Sequence, residues 1–172
     1  MAAHGPPFLF LCGMAWQAKK VFTLEDGRTA LERYCAYQER CQSEVKTKIA
    51  SLGFRGDAAD QLLLDAFAAD WVNEERFARA YARGKFRSLG WGRIKITHGL
   101  RAKGVSGACV ALGLSELDPE EYEAAARLRG AKEWEAASGV PLHQRRFKVE
   151  QALYQRGFES EWARETAPGR EE

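Results

Sequence analysis

EVKTKIASLGF (residues 44–54) returns twice in altered spelling, as KITHGLRAKGV (95–105) and KVEQALYQRGF (148–158). In each copy one apolar side chain stands eight residues before a glycine (Val45, Ile96, Val149), and another stands four before it (Ile49, Leu100, Leu153). A third follows the glycine directly (Phe54, Val105, Phe158). Offsets of eight and four put the first two on one helical stripe. A glycine ending such a stripe supplies left-handed backbone at little cost, which lets the next apolar residue fold back onto the helix. Gly53, Gly104 and Gly157 lie 51 and 53 residues apart. Three matched positions in three places describe a tandem repeat of roughly 50 residues, each unit a small three-helix bundle.

The rest of the chain agrees with a helical period. No run of alternating β-branched residues occurs, and Ala, Leu, Glu, Arg and Lys fill most positions, so the expected fold is all-α, an elongated array of three helix-turn-helix-like modules. The first module spans 28–70, with helices over Arg28–Arg40, Ser43–Leu52 (Ser43 a candidate cap) and Ala58–Asp70. The second spans 71–117, with Asn73 capping Glu74–Arg87, then Arg93–Lys103 and Ala108–Leu117. The third spans 118–166, with Pro119 in the first turn of Glu120–Ala137, then Phe147–Arg156 and Glu159–Thr166. Residues 167–172, beginning just before Pro168, are expected to fray. Residues 1–27 are read as a poorly ordered extension, with Met14 a second candidate start. Phe8–Trp16 is apolar but has no Lys or Arg before it, and it is too short to cross a bilayer.

A 172-residue chain that is 45% hydrophobic can build a core, and with 29% charged residues and a net charge of +2 it is no disordered polyelectrolyte. Cys12, Cys35, Cys41 and Cys109 form no C-x-x-C pair and have no His at ligand spacing. They are read as reduced thiols of a cytoplasmic protein, without a metal site. His4, His98 and His143 lie in unrelated contexts, and no phosphate-cradling glycine loop or paired carboxylates accompany them, so neither catalysis nor a cofactor is expected.

The charges are unevenly spread. From Arg76 to Lys103 there are nine cations (Arg76, Arg79, Arg83, Lys85, Arg87, Arg93, Lys95, Arg101, Lys103) and no Asp or Glu; from Glu116 to Glu135 there are seven acids against three bases. Such an arrangement would steer the molecule toward an anionic partner. Arg76, Arg79, Arg83 and Arg87 share one sector of a helical wheel, with Phe77 and Tyr81 turned away into the bundle. Trp91, in the glycine-flanked loop that follows, suits either a core anchor or a stacking platform. Together these ten residues are the candidate anion-facing surface, for nucleic acid or a filament containing it.

At these residues the chain resembles the RecX family, regulators of the RecA recombinase. NEERFARAYARGKFRSLGWGRIKITHGLRAKGV (73–105) is similar to the family's central module, Ala30–Phe54 to its first and Phe147–Phe158 to its third. The resemblance implies three-helix modules, a role in DNA repair, recombination and the SOS response, and a partner in the RecA filament on single-stranded DNA. It further implies that such a protein restrains ATP hydrolysis, strand exchange and filament assembly. Separately, a monomer that does not engage a membrane is expected. Two departures stand out. His98 and Gly99 interrupt a helix where better formers are usual, and SGACVALGLSEL carries Gly107 and Gly113 where an acidic helix is usual. The rival reading is a DNA-binding helical module that needs no recombinase, since three-helix units are common DNA readers and the basic surface could neutralise phosphates alone.

Overall fold

The computed structural model describes residues 23–165, and among them every regular element is a helix. The order is α1 (Leu24–Tyr37), α2 (Gln42–Ser51), α3 (Gly56–Ala68), α4 (Glu74–Leu89), α5 (Arg93–Ala102), α6 (Gly107–Leu114), α7 (Pro119–Ala136), α8 (Leu142–Arg156) and α9 (Ser160–Glu165). The extensive helix–helix packing falls within the triples α1–α3, α4–α6 and α7–α9. Each triple is one of the expected three-helix units.

The repeated signal behaves as its chemistry requires. Gly53, Gly104 and Gly157 have φ of 98°, 80° and 87°. The amides that follow them reach back to the same place in each unit: Phe54 to the Ile49 carbonyl (3.3 Å), Val105 to Leu100 (3.2 Å) and Phe158 to Leu153 (3.1 Å). This six-residue closure satisfies carbonyls that a helix end would otherwise leave bare. All nine apolar positions of the pattern are buried.

Two cores result. One, built on Leu31, Val45, Ile49, Phe54, Leu62 and Ala66, belongs to the first module. The other runs without a break through the second and third modules, from Phe77 and Leu100 to Tyr122, Leu153 and Phe158, and from the first module it includes Cys41. The second and third modules thus share an interior, whereas the first keeps its own.

Several helix ends differ from expectation, each for a local reason. α1 begins at Leu24, inside the segment read as an extension, because Thr23 and Asp26 form a reciprocal capping box: the Asp26 amide donates to the Thr23 hydroxyl (3.1 Å) and the Thr23 amide to the Asp26 carboxylate (3.0 Å). α2 is capped at Cys41, not Ser43. α8 starts at Leu142, directly after Pro141, five residues ahead of the expected Phe147. Asn73 caps α4 as expected, its side-chain oxygen accepting from the Arg76 amide (3.0 Å). The expected disorder of residues 1–22 and of the last residues lies outside the described residues. Gly113, a departure in the sequence, has a packing reason: a Cβ there would come within 2.8 Å of the Ala78 carbonyl, so its absence lets α6 lie close against α4.

Because the cores are separate, damage to one should stay local. Leu31→Ala removes a fully buried side chain from the first module, a loss of roughly 2–5 kcal/mol for a substitution of this kind. Hydrogen exchange should show α1–α3 losing protection while α4–α8 retain theirs; equal loss across all nine helices would contradict two cores.

Candidate functional site

The surface expected from the sequence lies along α4. Its four arginines do project together, but each meets acids from elsewhere in the fold. Arg76 pairs with Glu39 (3.1 Å) and with Asp70, Arg79 with Glu75 (2.8 Å) and Glu116, Arg83 with Glu116 (3.1 Å), and Arg87 with Glu121 (3.3 Å). A stretch empty of acids in sequence is not empty in space. The acidic segment after Glu116 lies against the basic helix, and the two charge blocks partly cancel instead of projecting opposite fields. Isolated exposed pairs contribute about 0–1 kcal/mol each, yet as a set they fasten α4 backward to the first module and forward to the α6–α7 connection and α7. The Arg79 hydrogen bond, then the Arg79 and Arg83 charges, hold the Glu116 carboxyl below its ordinary range. Asp70 is likewise lowered, by Asn73 and then Arg76.

The remaining cations divide by their partners. Arg93 lies over the Tyr122 ring (4.1 Å to its centroid) and faces Glu159 (3.6 Å). Lys103 pairs with Glu44 (2.6 Å), a bond that raises the lysine's pKa. Burial alone would raise the Glu44 carboxyl, but the Lys103 hydrogen bond and charge outweigh it and hold the group low. Lys85, Lys95 and Arg101 meet no carboxylate among the described residues.

Lys85 and Lys95 converge on one ring. Their ammonium groups stand 5.1 and 5.0 Å from the half-buried Trp91 ring, and Lys85 is also 5.3 Å from that of Tyr81. Tyr81, expected inside the bundle, is only half-buried. Its hydroxyl occupies the space that a Cβ at Gly99 would need. Gly99 therefore makes room for Tyr81, which accounts for a weak helix former at that position. Tyr81 and Lys85 also line a groove of about 490 Å³ between the first two modules. Two partly open rings flanked by two uncompensated ammonium groups can stack a base and neutralise a phosphate. Arg101 is exposed on α5.

The loop around Trp91 has a second duty. The Gly92 amide donates to the Arg156 carbonyl (2.8 Å) and the Ile94 amide to the Gly157 carbonyl (3.0 Å), so the start of α5 is seated on the end of α8. A Cβ on Gly92 would fall on the Gly157 carbonyl, and one on Gly157 would fall on Lys95. The glycines thus serve a backbone-to-backbone approach between modules. Side chains cross the same junction: Arg156 donates to the Leu89 carbonyl (2.9 Å) and Lys95 to the Gln155 carbonyl (3.3 Å). Beneath it lies Tyr122, which accepts from the Arg93 amide (3.1 Å) and donates to Glu159 (2.7 Å), packed against Phe86, Phe158 and Trp162. Burial and the Glu159 bond push its phenol well above the usual range.

One module earlier the junction recurs with different atoms. The start of α2 meets the end of α5, where Ser43 donates its hydroxyl to the Lys103 carbonyl (3.1 Å) and Glu44 holds the Lys103 ammonium. Ser43, read as a cap, is a joint residue. In both junctions the amide end of one middle helix meets the carbonyl end of the next, the favourable pairing of helix dipoles.

The middle triple is also the part that matches a known family: a family model described as RecX, second three-helix domain, covers residues 73–114. A Regulatory protein RecX from Corynebacterium efficiens is 29% identical over 124 residues, covering 69% of this chain and 59% of the relative. Another from Prosthecochloris aestuarii is 29% identical over 146 residues, covering 82% and 93%. Over most of its length the chain is similar to proteins named Regulatory protein RecX. A crystal structure of RecX from Lactobacillus salivarius has a TM-score of 0.74 at 21% identity, covering 83% of this chain and 93% of that one. A second, of regulatory protein RecX, has a TM-score of 0.71 at 22% identity, covering 81% and 70%. These likenesses fix the RecX-type fold of three helical modules.

Sequence reasoning overlooked Tyr122, Glu159, Glu116 and Glu121, whose roles depend on partners more than 25 residues away and leave no local pattern. Ser43 was noticed for the wrong duty.

Gly92→Ala should cost about 1–3 kcal/mol, the usual penalty of overpacking, and should loosen α8 from α5, read as a lower denaturant midpoint with a change in Trp91 emission. Acid acts on the other contacts. A carboxyl lowered by folding contributes stability above its unfolded pKa and loses it as pH falls through the folded value. The Asp70 and Glu116 links should therefore hold at neutral pH and fail on the acid side of pH 4.5; a melting temperature flat from pH 5 to pH 2.5 would contradict them.

Proposed function

We propose that this chain is a non-enzymatic regulator that binds the RecA–single-stranded DNA filament and restrains it, mainly inhibiting ATP hydrolysis, strand exchange and filament assembly during recombination and repair. The observation carrying the proposal is the Tyr81–Lys85–Trp91–Lys95 patch on the module that matches the RecX second three-helix domain. The names of its relatives support a regulatory role. The chain spans 59% of the Corynebacterium relative, so the activity and partner of that longer protein enter here as part of the proposal. A filament groove offers phosphate and base as well as protein, and the patch presents cations and rings together. The site is narrower than the sequence suggested: Lys85, Lys95, Trp91 and Arg101 meet the filament, while Arg76, Arg79, Arg83, Arg87, Arg93 and Lys103 chiefly hold the modules in place. The protein acts as a monomer in the cytoplasm.

The rival is a module that binds DNA directly. It is favoured by the patch being assembled from one chain, with no protein partner needed to complete it. Titrating the cognate recombinase's ATPase on preformed single-stranded DNA filaments at near-physiological salt, beside naked DNA, separates the two. Inhibition near stoichiometric protein with weak naked-DNA binding supports filament regulation; tight naked-DNA binding with unchanged hydrolysis supports the rival. In either case Lys85→Glu with Lys95→Glu should raise the effective concentration at least about tenfold. The salt slope on single-stranded DNA should also shrink by about 1.4, two phosphate contacts at about 0.7 each. Unchanged slope and potency would remove the patch from the mechanism. Charge reversal of Arg79, Arg83 and Arg87 is a poorer test, because it breaks the pairs that position α4.

A further inference from the structure

The junction of the second and third modules carries a second surface, built from different side chains. A groove of about 470 Å³ runs between the end of α4, the middle of α7 and the end of α8. Its open apolar side chains are aliphatic: Leu128 is 75% exposed and Leu89 is 44% exposed, with Ala125 between α7 and the core. Four cations line it, Arg87, Arg129, Lys132 and Arg156, against the single carboxylate of Glu121. Glu121 is already engaged by Arg87 (3.3 Å). Arg129 pairs with Glu133 through one terminal nitrogen (2.8 Å), while its buried Nε has no hydrogen-bond acceptor among the described residues. Lys132 is exposed and meets no carboxylate there.

We propose that this groove is a docking site for an acidic amphipathic helix of a partner protein, one that lays leucine-like anchors against Leu89 and Leu128 and turns carboxylates toward Lys132, Arg129 and Arg156. The charge complementarity is one-sided: Arg87 and Arg129 are paired with Glu121 and Glu133, while Lys132 and Arg156 meet no carboxylate among the described residues and the Arg129 Nε has no acceptor there. The apolar floor decides between partner classes. A single-stranded nucleic acid would need exposed rings for its bases, but the aromatic residues here, Phe86 and Phe158, are buried beneath the surface. An aliphatic trough with a basic rim suits the apolar stripe and acidic flank of a helix. An exposed leucine at the middle of a groove is the kind of anchor on which such contacts concentrate. The inference goes beyond the filament proposal and does not rest on it, since it uses neither Trp91 nor Lys85 and Lys95.

The test uses the full chain, uniformly labelled with nitrogen-15. It is titrated with a capped helix-forming peptide of about 15 residues, with leucines along one face and glutamates along the other. Controls are the same peptide with every Glu replaced by Gln, and an oligothymidylate. The expected result is amide shifts clustered at Leu89, Gly90, Leu128, Arg129 and Lys132. Leu128→Ser, Lys132→Glu and the Gln peptide should each weaken binding about tenfold. Both variant side chains are solvent-exposed, so the remaining spectrum should be unchanged, and each variant checks the other. Absent shifts, shifts centred elsewhere, or a Gln peptide that binds as tightly would overturn the proposal. An oligothymidylate that moves the same amides as strongly would replace it with a nucleic-acid groove.

Discussion

The start of one middle helix is seated on the carbonyl end of another, through backbone amides where α5 meets α8 and through the Ser43 hydroxyl where α2 meets α5, and this contact sets the order of everything else. α5 begins on the last turn of α8, and α2 begins on the last turn of α5. A lone three-helix unit of this size buries little apolar surface, and stacking the units adds the surface each lacks. The contact is directional as well as adhesive. Opposite ends of two helix dipoles attract while like ends would repel, so the contact favours the observed sense of stacking. Gly157 serves twice in this scheme, reversing the chain at the end of α8 and leaving room for the neighbouring backbone.

What was legible in the sequence is what is local. The pattern of Val45, Ile49, Gly53 and Phe54 and its two echoes encodes a helix stripe and its cap within eleven residues, and all nine apolar positions are interior. The Asn73 cap and the Pro119 helix start are equally local. The basic stripe was legible as residues but not as a surface. Its compensating acids sit 33 to 37 residues away for Glu39, Glu116 and Glu121. A charge count along the chain cannot see them, because the fold brings a following acidic segment onto a preceding basic one. The same limit hid Tyr122, whose hydroxyl links Arg93 on one module to Glu159 on another.

Gly99 and Gly113 looked like weaknesses in their helices, and on propensity alone they are. Each instead yields its missing side-chain volume to a neighbour, Gly99 to the Tyr81 hydroxyl and Gly113 to the α4 backbone. The local loss, about 1 kcal/mol for glycine in place of alanine, is set against closer packing. In the case of Gly99, it is also set against the placement of a ring in the candidate site. Departures from a helical ideal here mark the places where two elements come closest.

The two junctions are unlike in substance. Between the second and third modules a buried aromatic cluster closes over the backbone contact, whereas between the first and second the contact relies on Ser43, the Glu44–Lys103 pair and the Arg76 pairs, with Cys41 supplying apolar contact. Under tension applied along the chain, a polar contact ruptures over a short extension once water enters, while an aromatic interior resists until its surface is exposed. The molecule is therefore mechanically graded. Pulled from its ends, it would part first between α2 and α5, leaving the last two modules to respond as one body.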